Sequence, residues 1–310
     1  MVINSTALRR ASLVLVTLGA ASLVGAAGGD AKPVPGPRDD PTLQIPDSLR
    51  GLSGRLRFRS VHPAESPGVD DTLFAAIFGA DALSRPALLA VRDPATTDSF
   101  HFAALLPLAA RQPDGRVGLY RVGRWPGESR APRSAAYRVP DGFIQVGEAD
   151  QAVQVSTHFT LGQFLTKDQR NIWPKFLVLD ERLVDKLELI VSELRLSGHR
   201  VDGLTVLSGF RTPQYNARGR NSGQAADSRH QYGDAADVIV DANGDSMMDD
   251  LNGDRRTDLK DAFALAAIVE RVESRFPDLI GGLGVYRPAP GRSPFLHVDA
   301  RGERFRWGFP

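Results

Sequence analysis

Two kinds of apolar patterning divide the chain. Between residues 52 and 155 the apolar positions fall in short runs, at 56–61, 87–91, 100–106, 117–122, 143–146 and 153–155, with turn sequences such as Pro113-Asp114-Gly115 between them. Runs of this length bounded by turn residues predict β-strands. Beyond Trp173-Pro174 the period lengthens, and Leu179, Leu183, Leu187, Ile190, Val191 and Leu194 recur at the three-to-four spacing of one helix face. Asp180 supplies a cap at the start of that helix and Gly198 a stop at its end. Residues 204–207 read as a short buried strand, 259–276 as a second amphipathic helix, and 283–286 with 295–299 as a closing hairpin. The pattern predicts an α+β chain with two domains, a small β-rich, sandwich-like one at 47–155 and an α+β one at 156–310.

The first 46 residues fit neither domain. Arg9 and Arg10 precede an apolar stretch at 11–24, broken by Thr17, Gly19 and Ser22 and followed by Gly25, Ala26 and Ala27. That layout predicts a secretory signal over 1–27, too short and interrupted for a stable membrane anchor. Residues 28–46, with Pro33, Pro35 and Pro37, read as a solvated linker. The 38 Lys and Arg nearly balance the 37 Asp and Glu, so nucleic acid is not an expected partner. With no cysteine, disulfides, thiolate metal sites and thiol nucleophiles are excluded. Any metal has to be held by histidines and carboxylates.

Such a set is present. In the run Ser228 to Asp237 an SxHxxGxxxD arrangement places His230 on a turn and Asp237 at the start of the apolar strand 238–240. His297 lies far downstream in Phe295-Leu296-His297-Val298-Asp299. Two histidines and one aspartate, one of them remote in sequence, suit a tetrahedral zinc with its fourth position open, the pattern of catalytic sites. Gly233 permits the tight turn between the first two. His62 and His101, by contrast, have no ligand spacing to any neighbour.

These residues resemble the zinc D-Ala-D-Ala carboxypeptidases and dipeptidases of bacterial cell walls, a family that shares its fold with the hedgehog signalling domain and murein endopeptidases. The resemblance covers roughly 158–307. Ser208-Gly209-Phe210-Arg211, with Asn216 after it, is similar to the family's SGYRxxxxN segment, and Leu283-Gly284-Val285-Tyr286 with His297-Val298-Asp299 is similar to a GVGxY…HVD ending. It implies that His230, Asp237 and His297 bind zinc and that Arg211 contacts substrate beside the scissile bond. Dipeptidase members carry an acid three residues before the third ligand, where this chain has Pro294. Asp299, two residues after His297 and so on the same strand face, is the candidate general base, or alternatively a carboxylate that orients a histidine. Asp234 and Glu303 remain alternatives. Ser228 and Tyr286 are candidate substrate contacts, as are Tyr215 and Tyr232.

Between the Asp237 strand and the next helix runs an acidic loop, 241–261. Counting from Asp250, the side chains of Asp250, Asn252, Asp254, Asp258 and Asp261 stand at positions one, three, five, nine and twelve, the spacing of EF-hand and dockerin calcium loops. An overlapping register starts at Asp241, with Asn243, Asp245, Asp249 and Asn252. So many carboxylates repel one another unless a cation or solvent screens them, which makes a structural Ca2+ the expectation. Arg255 at position six and Asp261 at twelve depart from the usual Gly and Glu.

The expected function is an exported, cell-wall-associated zinc peptidase, periplasmic or extracellular, acting on peptidoglycan peptides as a carboxypeptidase or endopeptidase. The competing expectation is a zinc-bearing binding module without hydrolysis. A further one is that the β-rich half targets the chain to the wall.

Overall fold

A computed structural model describes residues 42–219 and 224–310. The expected signal segment and most of the expected linker lie outside the described residues. In chain order the elements are β1 (Phe58–Val61), α1 (Asp71–Phe78), β2 (Ala87–Arg92), β3 (Ser99–Ala104), β4 (Leu106–Pro107), β5 (Arg116–Val117), β6 (Tyr120–Arg121), β7 (Gly142–Val146), α2 (Leu161–Phe164), β8 (Lys175–Leu177), α3 (Glu181–Leu196), β9 (Thr205–Ser208), α4 (Pro213–Arg218), β10 (Ala235–Ile239), α5 (Leu259–Arg275), β11 (Gly282–Tyr286), β12 (Phe295–Asp299) and β13 (Phe305–Trp307). The class is α+β, as the patterning predicts.

The strands form a five-stranded sheet ordered β13-β11-β12-β10-β9, two three-stranded sheets, β1-β3-β2 and β4-β7-β8, and the β5-β6 hairpin. β9, β10, β12 and β11 run antiparallel to their neighbours, and β13 lies parallel to β11 at the edge. α5 packs on β11 and β12, and α3 packs on α5. α3 starts where predicted, with the Asp180 carboxylate accepting from Arg182 N at 2.9 Å. α5 opens on a capping box between Asp258 and Asp261. No helix among the described residues is long and apolar enough to cross a membrane.

The expected boundary near 155 is not a boundary. β7, from the first half, pairs with β8, from the second, Ile144 opposite Leu177 and Val146 opposite Lys175. One apolar core runs from Leu56 to Ala300, and the described residues form one compact unit. The β-rich half is no sandwich because its strands do not close on themselves, and β4 and β7 complete a sheet only with β8. Residues 153–155 form no strand, contributing a single bridge between Gln154 and Thr160. The expected linker also ends early: Leu43 and Ile45 are buried with Val61, Phe74, Phe100 and Phe102 in a smaller core.

Charge is buried behind the large sheet as well. Lys186, on α3, is fully inaccessible and donates to Glu273 Oε1 at 2.6 Å and to the carbonyl oxygen of Asp299 at 2.7 Å. Arg306 closes on the same Glu273. Ions out of water persist only when paired in this way, and the network ties α3, α5, β12 and β13 together.

Candidate metal centre

Strand register assembles the site. Across the five-stranded sheet, Ser208 stands opposite Asp237, Asp237 opposite His297, His297 opposite Gly284, and Gly284 opposite Trp307. Asp237 and His297 are thus cross-strand neighbours, their side chains on one face. His230 arrives from outside the sheet, on the one-turn helix Arg229–Tyr232 that Gly233 terminates at φ 77°. A Cβ at Gly233 would lie 2.4 Å from the carbonyl oxygen of Val178, so no other residue makes this turn without displacing backbone.

All three side chains are buried, and their ligating atoms lie within 4.8 Å of one another. His230 Nε2 is 3.1 Å from Asp237 Oδ1 and 3.1 Å from His297 Nδ1, and His297 Nδ1 is 3.2 Å from Asp237 Oδ1. The opposite ring nitrogens are engaged elsewhere: His230 Nδ1 donates to Gly209 O at 2.7 Å, and His297 Nε2 meets Asp299 Oδ2 at 3.1 Å. With those nitrogens protonated, each neutral imidazole turns a lone pair toward the same point as a carboxylate oxygen. Three acceptors so placed repel one another unless a cation lies among them. Donors about 2.0–2.1 Å from a tetrahedral zinc stand roughly 3.3 Å apart, close to the triangle seen here. The residues therefore fit a metal ion, and two imidazoles with one carboxylate is a donor set that zinc accepts.

Burial pushes the His230 pKa down, toward the neutral form that binds metal. Burial would raise the Asp237 pKa, but the two histidines beside it hold it well below the usual carboxylate range. For His297, burial acts downward and is outweighed by the Asp237 and Asp299 carboxylates, which accept from the ring and hold its pKa above the usual value.

Asp299 is not placed as a general base. It is fully buried and meets His297 on the ring edge turned away from the ligand triangle. Its oxygens accept from Gly282 N at 2.7 Å and from Arg301 Nε at 2.9 and 3.0 Å, and Arg301 Nη2 also donates to it. Burial tends to raise its pKa, but His297 and Arg301 hold it far below the normal range. A carboxylate so saturated orients the histidine and takes no proton from the site. Asp299 shares a strand face with His297, but Arg301, two residues further on, closes on its carboxylate. The alternatives are no closer: Asp234 is paired with Arg229, with burial pushing its pKa up to about 6, and Glu303 is exposed on a turn. Among the described residues no further His, Asp or Glu joins the three ligands.

Arg211 lies beside the triangle. Its Nε donates to Ser208 Oγ at 2.8 Å and its Nη2 to Asp237 Oδ2, the oxygen not shared with the histidines. Ser208 and Arg211 together fix which carboxylate oxygen Asp237 presents. Ser228 sits at the N-terminus of the His230 turn, half-buried, and its carbonyl accepts from Gln231 N. Tyr286 stands at the C-terminal end of β11, stacked on Phe295. Tyr232 is buried under the Arg229 guanidinium, a packing role.

Some supports had no signal in the spacing of the ligands. Trp125 Nε1 donates to Gln231 O at 2.7 Å, Val122 O accepts from Gln214 N at 2.9 Å, and Arg229 reaches Ala136 O. The first half of the chain therefore braces the segments that carry His230 and Arg211.

The acidic loop is organised differently. Asp241 Oδ1 accepts from Gly244 N and Asp245 N at 2.8 and 3.0 Å, and its Oδ2 accepts from Ser246 N at 3.0 Å. Nine residues on, Asp250 accepts from Gly253 N at 2.7 Å and from Arg255 N at 2.6 Å. The backbone repeats too, with φ 77° and 78° at Gly244 and Gly253 and 65° at both Ser246 and Arg255. Asn243 and Asn252 each accept from the amide two residues on, and Asp245 and Asp254 do likewise. Asp254 is also paired with Lys260 at 2.9 Å. Asp258 caps α5, and Asp261 turns inward, fully buried, to accept from Leu251 N, Asn252 N and Asp258 N. These carboxylates form no second metal-holding group among the described residues.

Compared with protein-family models, curated proteins and solved structures, the chain matches none.

Proposed function

We propose that the protein is an exported zinc peptidase that hydrolyses peptidoglycan peptides containing D-amino acids, as a D,D-carboxypeptidase or a murein endopeptidase, on a hedgehog-like metallopeptidase fold. The observation that carries this reading is the triangle of His230 Nε2, His297 Nδ1 and Asp237 Oδ1, with each far nitrogen already engaged. Three protein ligands leave a position for water or substrate, as catalytic zinc requires. When bound, zinc supplies a more acidic water and polarises a carbonyl oxygen. His230, Asp237 and His297 hold it, and Asp299 with Arg301 fixes the His297 ring. Arg211 steadies Asp237 and presents a guanidinium at the edge of the site, where an oxygen gaining negative charge is stabilised. Within this reading the carboxylate and carboxamide oxygens of the 241–261 loop would hold a structural Ca2+.

The test is mass spectrometry of muropeptides incubated with the purified protein, with and without a zinc chelator. Chelator-sensitive loss of terminal D-Ala marks a carboxypeptidase, and conversion of cross-linked dimers to monomers marks an endopeptidase. Two observations favour a second reading, a non-catalytic zinc-containing module for binding cell wall or protein: Asp299 is closed off by Arg301, and Pro294 stands where dipeptidases carry an acid. Stoichiometric zinc without cleavage of either substrate selects that reading.

A further inference from the structure

Gly284 leaves a gap in the register row between His297 and Trp307. A Cβ there would lie 2.1 Å from Trp307 Cε2, so the indole crosses the glycine and reaches the metal ligand, its ring centroid 5.1 Å from that of His297. One row along the same sheet, Tyr286 is opposite Phe295. The two rings stack at 4.5 Å with 6° between their planes, and Tyr286 meets Trp307 edge-on at 6.4 Å. Tyr286 keeps 37% of its surface exposed and Trp307 is half-buried, so the row is an open shelf and not a sealed core. At its far end the Arg292 guanidinium lies 4.9 Å from the Phe295 ring. The hairpin tip 287–294 carries Arg287 and Arg292 and no acid.

We propose that Trp307, Tyr286 and Arg292 form a substrate subsite beside the metal centre, for a peptide residue whose hydrocarbon body lies on the rings and whose carboxylate meets Arg292. The proposal rests on the peptidase reading and narrows its substrate. Aromatic faces hold apolar groups without offering polar partners, and a guanidinium with no acid beside it on the tip selects an anion and repels a cation. His297 and Phe295 are two residues apart on one strand face, about 7 Å. The Arg292 end is therefore one or two substrate residues from the bond at the metal.

The experiment uses the full zinc-loaded chain and synthetic peptides that differ only in a free carboxylate or a carboxamide at the second residue on either side of the scissile bond. The expected result is a preference of about tenfold in kcat/KM for the acid, falling to near unity in Arg292→Gln. Trp307→Ala is expected to raise KM more than it lowers kcat, with Trp307→Phe recovering most of the loss. Zinc content and circular dichroism check that each variant is folded, and Tyr286→Ala provides a second probe of the shelf. Binding of the same peptides to metal-free protein, followed by calorimetry, is the readout independent of activity. If the wild type cleaves neither peptide but binds the acid about tenfold more tightly, and Arg292→Gln abolishes that difference, the subsite stands and the peptidase reading falls. If Arg292→Gln leaves the acid-to-amide ratio unchanged in cleavage and in binding, or the wild type has no such preference, the subsite is overturned.

Discussion

The triangle at His230, Asp237 and His297 and the loop at 241–261 both pair an acidic motif with a metal-like spacing, yet the fold treats them in opposite ways. In the triangle, ligands from a turn and two strands converge while their other polar atoms are fixed by Gly209, Asp299 and Arg211. In the loop, Asp241, Asp245, Asp250 and Asp254 fold back on amides two to five residues away. Tertiary structure prepays the ordering of the first site, whereas local turns satisfy the second without bringing its oxygens together. Spacing in sequence thus reports a capacity to bind, and preorganisation has to be read from what holds each ligand from behind.

The largest test of this contrast is Asp237→Ala. It is expected to remove stoichiometric zinc, read by elemental analysis, and to lower peptide hydrolysis by on the order of a thousandfold or more; full zinc retention would break the assignment. Asp299→Asn probes the support alone. Zinc affinity, measured by competition with a chromophoric chelator, should fall about 10–100-fold, while Asp250→Ala in the loop should leave it unchanged. For the loop, millimolar Ca2+ added to chelator-treated protein should raise Tm by a few degrees, following the logarithm of ion concentration over Kd, and a paired Asp241→Asn, Asp250→Asn variant should lose the rise. Absence of any calcium-dependent shift would identify the loop as a solvated ladder of turns.

A carboxylate fixed by protein alone supplies the control. Asp93 is buried, and hydrogen bonds from Arg50, opposed by burial and joined by Ala95 N and Thr96 Oγ1, lower its pKa from 3.8 to about 2. A depressed native pKa gives stability that is present above the unfolded value and lost as pH falls through the folded one. Denaturant midpoints should therefore drop between about pH 4 and pH 2, and Asp93→Asn should flatten that part of the profile.

The ligands were legible because His230, Gly233 and Asp237 form a compact local pattern and His297 sits in an apolar strand. The helix over 181–196 was legible for a similar reason, a clear period and a cap at Asp180. What escaped was non-local. Nothing in the runs at 143–146 or 117–122 announces that Ile144 pairs with Leu177 or that Trp125 holds Gln231, so a supporting wall read as a separate domain. Asp299 was placed on the correct strand face, but its role depends on the donors around it, Arg301 and Gly282. Trp307 carried no expectation because its position depends on an absence, the missing side chain at Gly284.

The register row also sets an order of events during biogenesis. Asp237 and His297 are separated by 60 residues, and their alignment depends on β12 docking between β10 and β11. A chain emerging from N- to C-terminus has only two of its ligands until nearly its last strands arrive, and closure of so long a loop is slow. A slip of one residue in β12 would exchange His297 for Leu296 or Val298 on that face. Only a chain that has docked β12 in register offers all three donors.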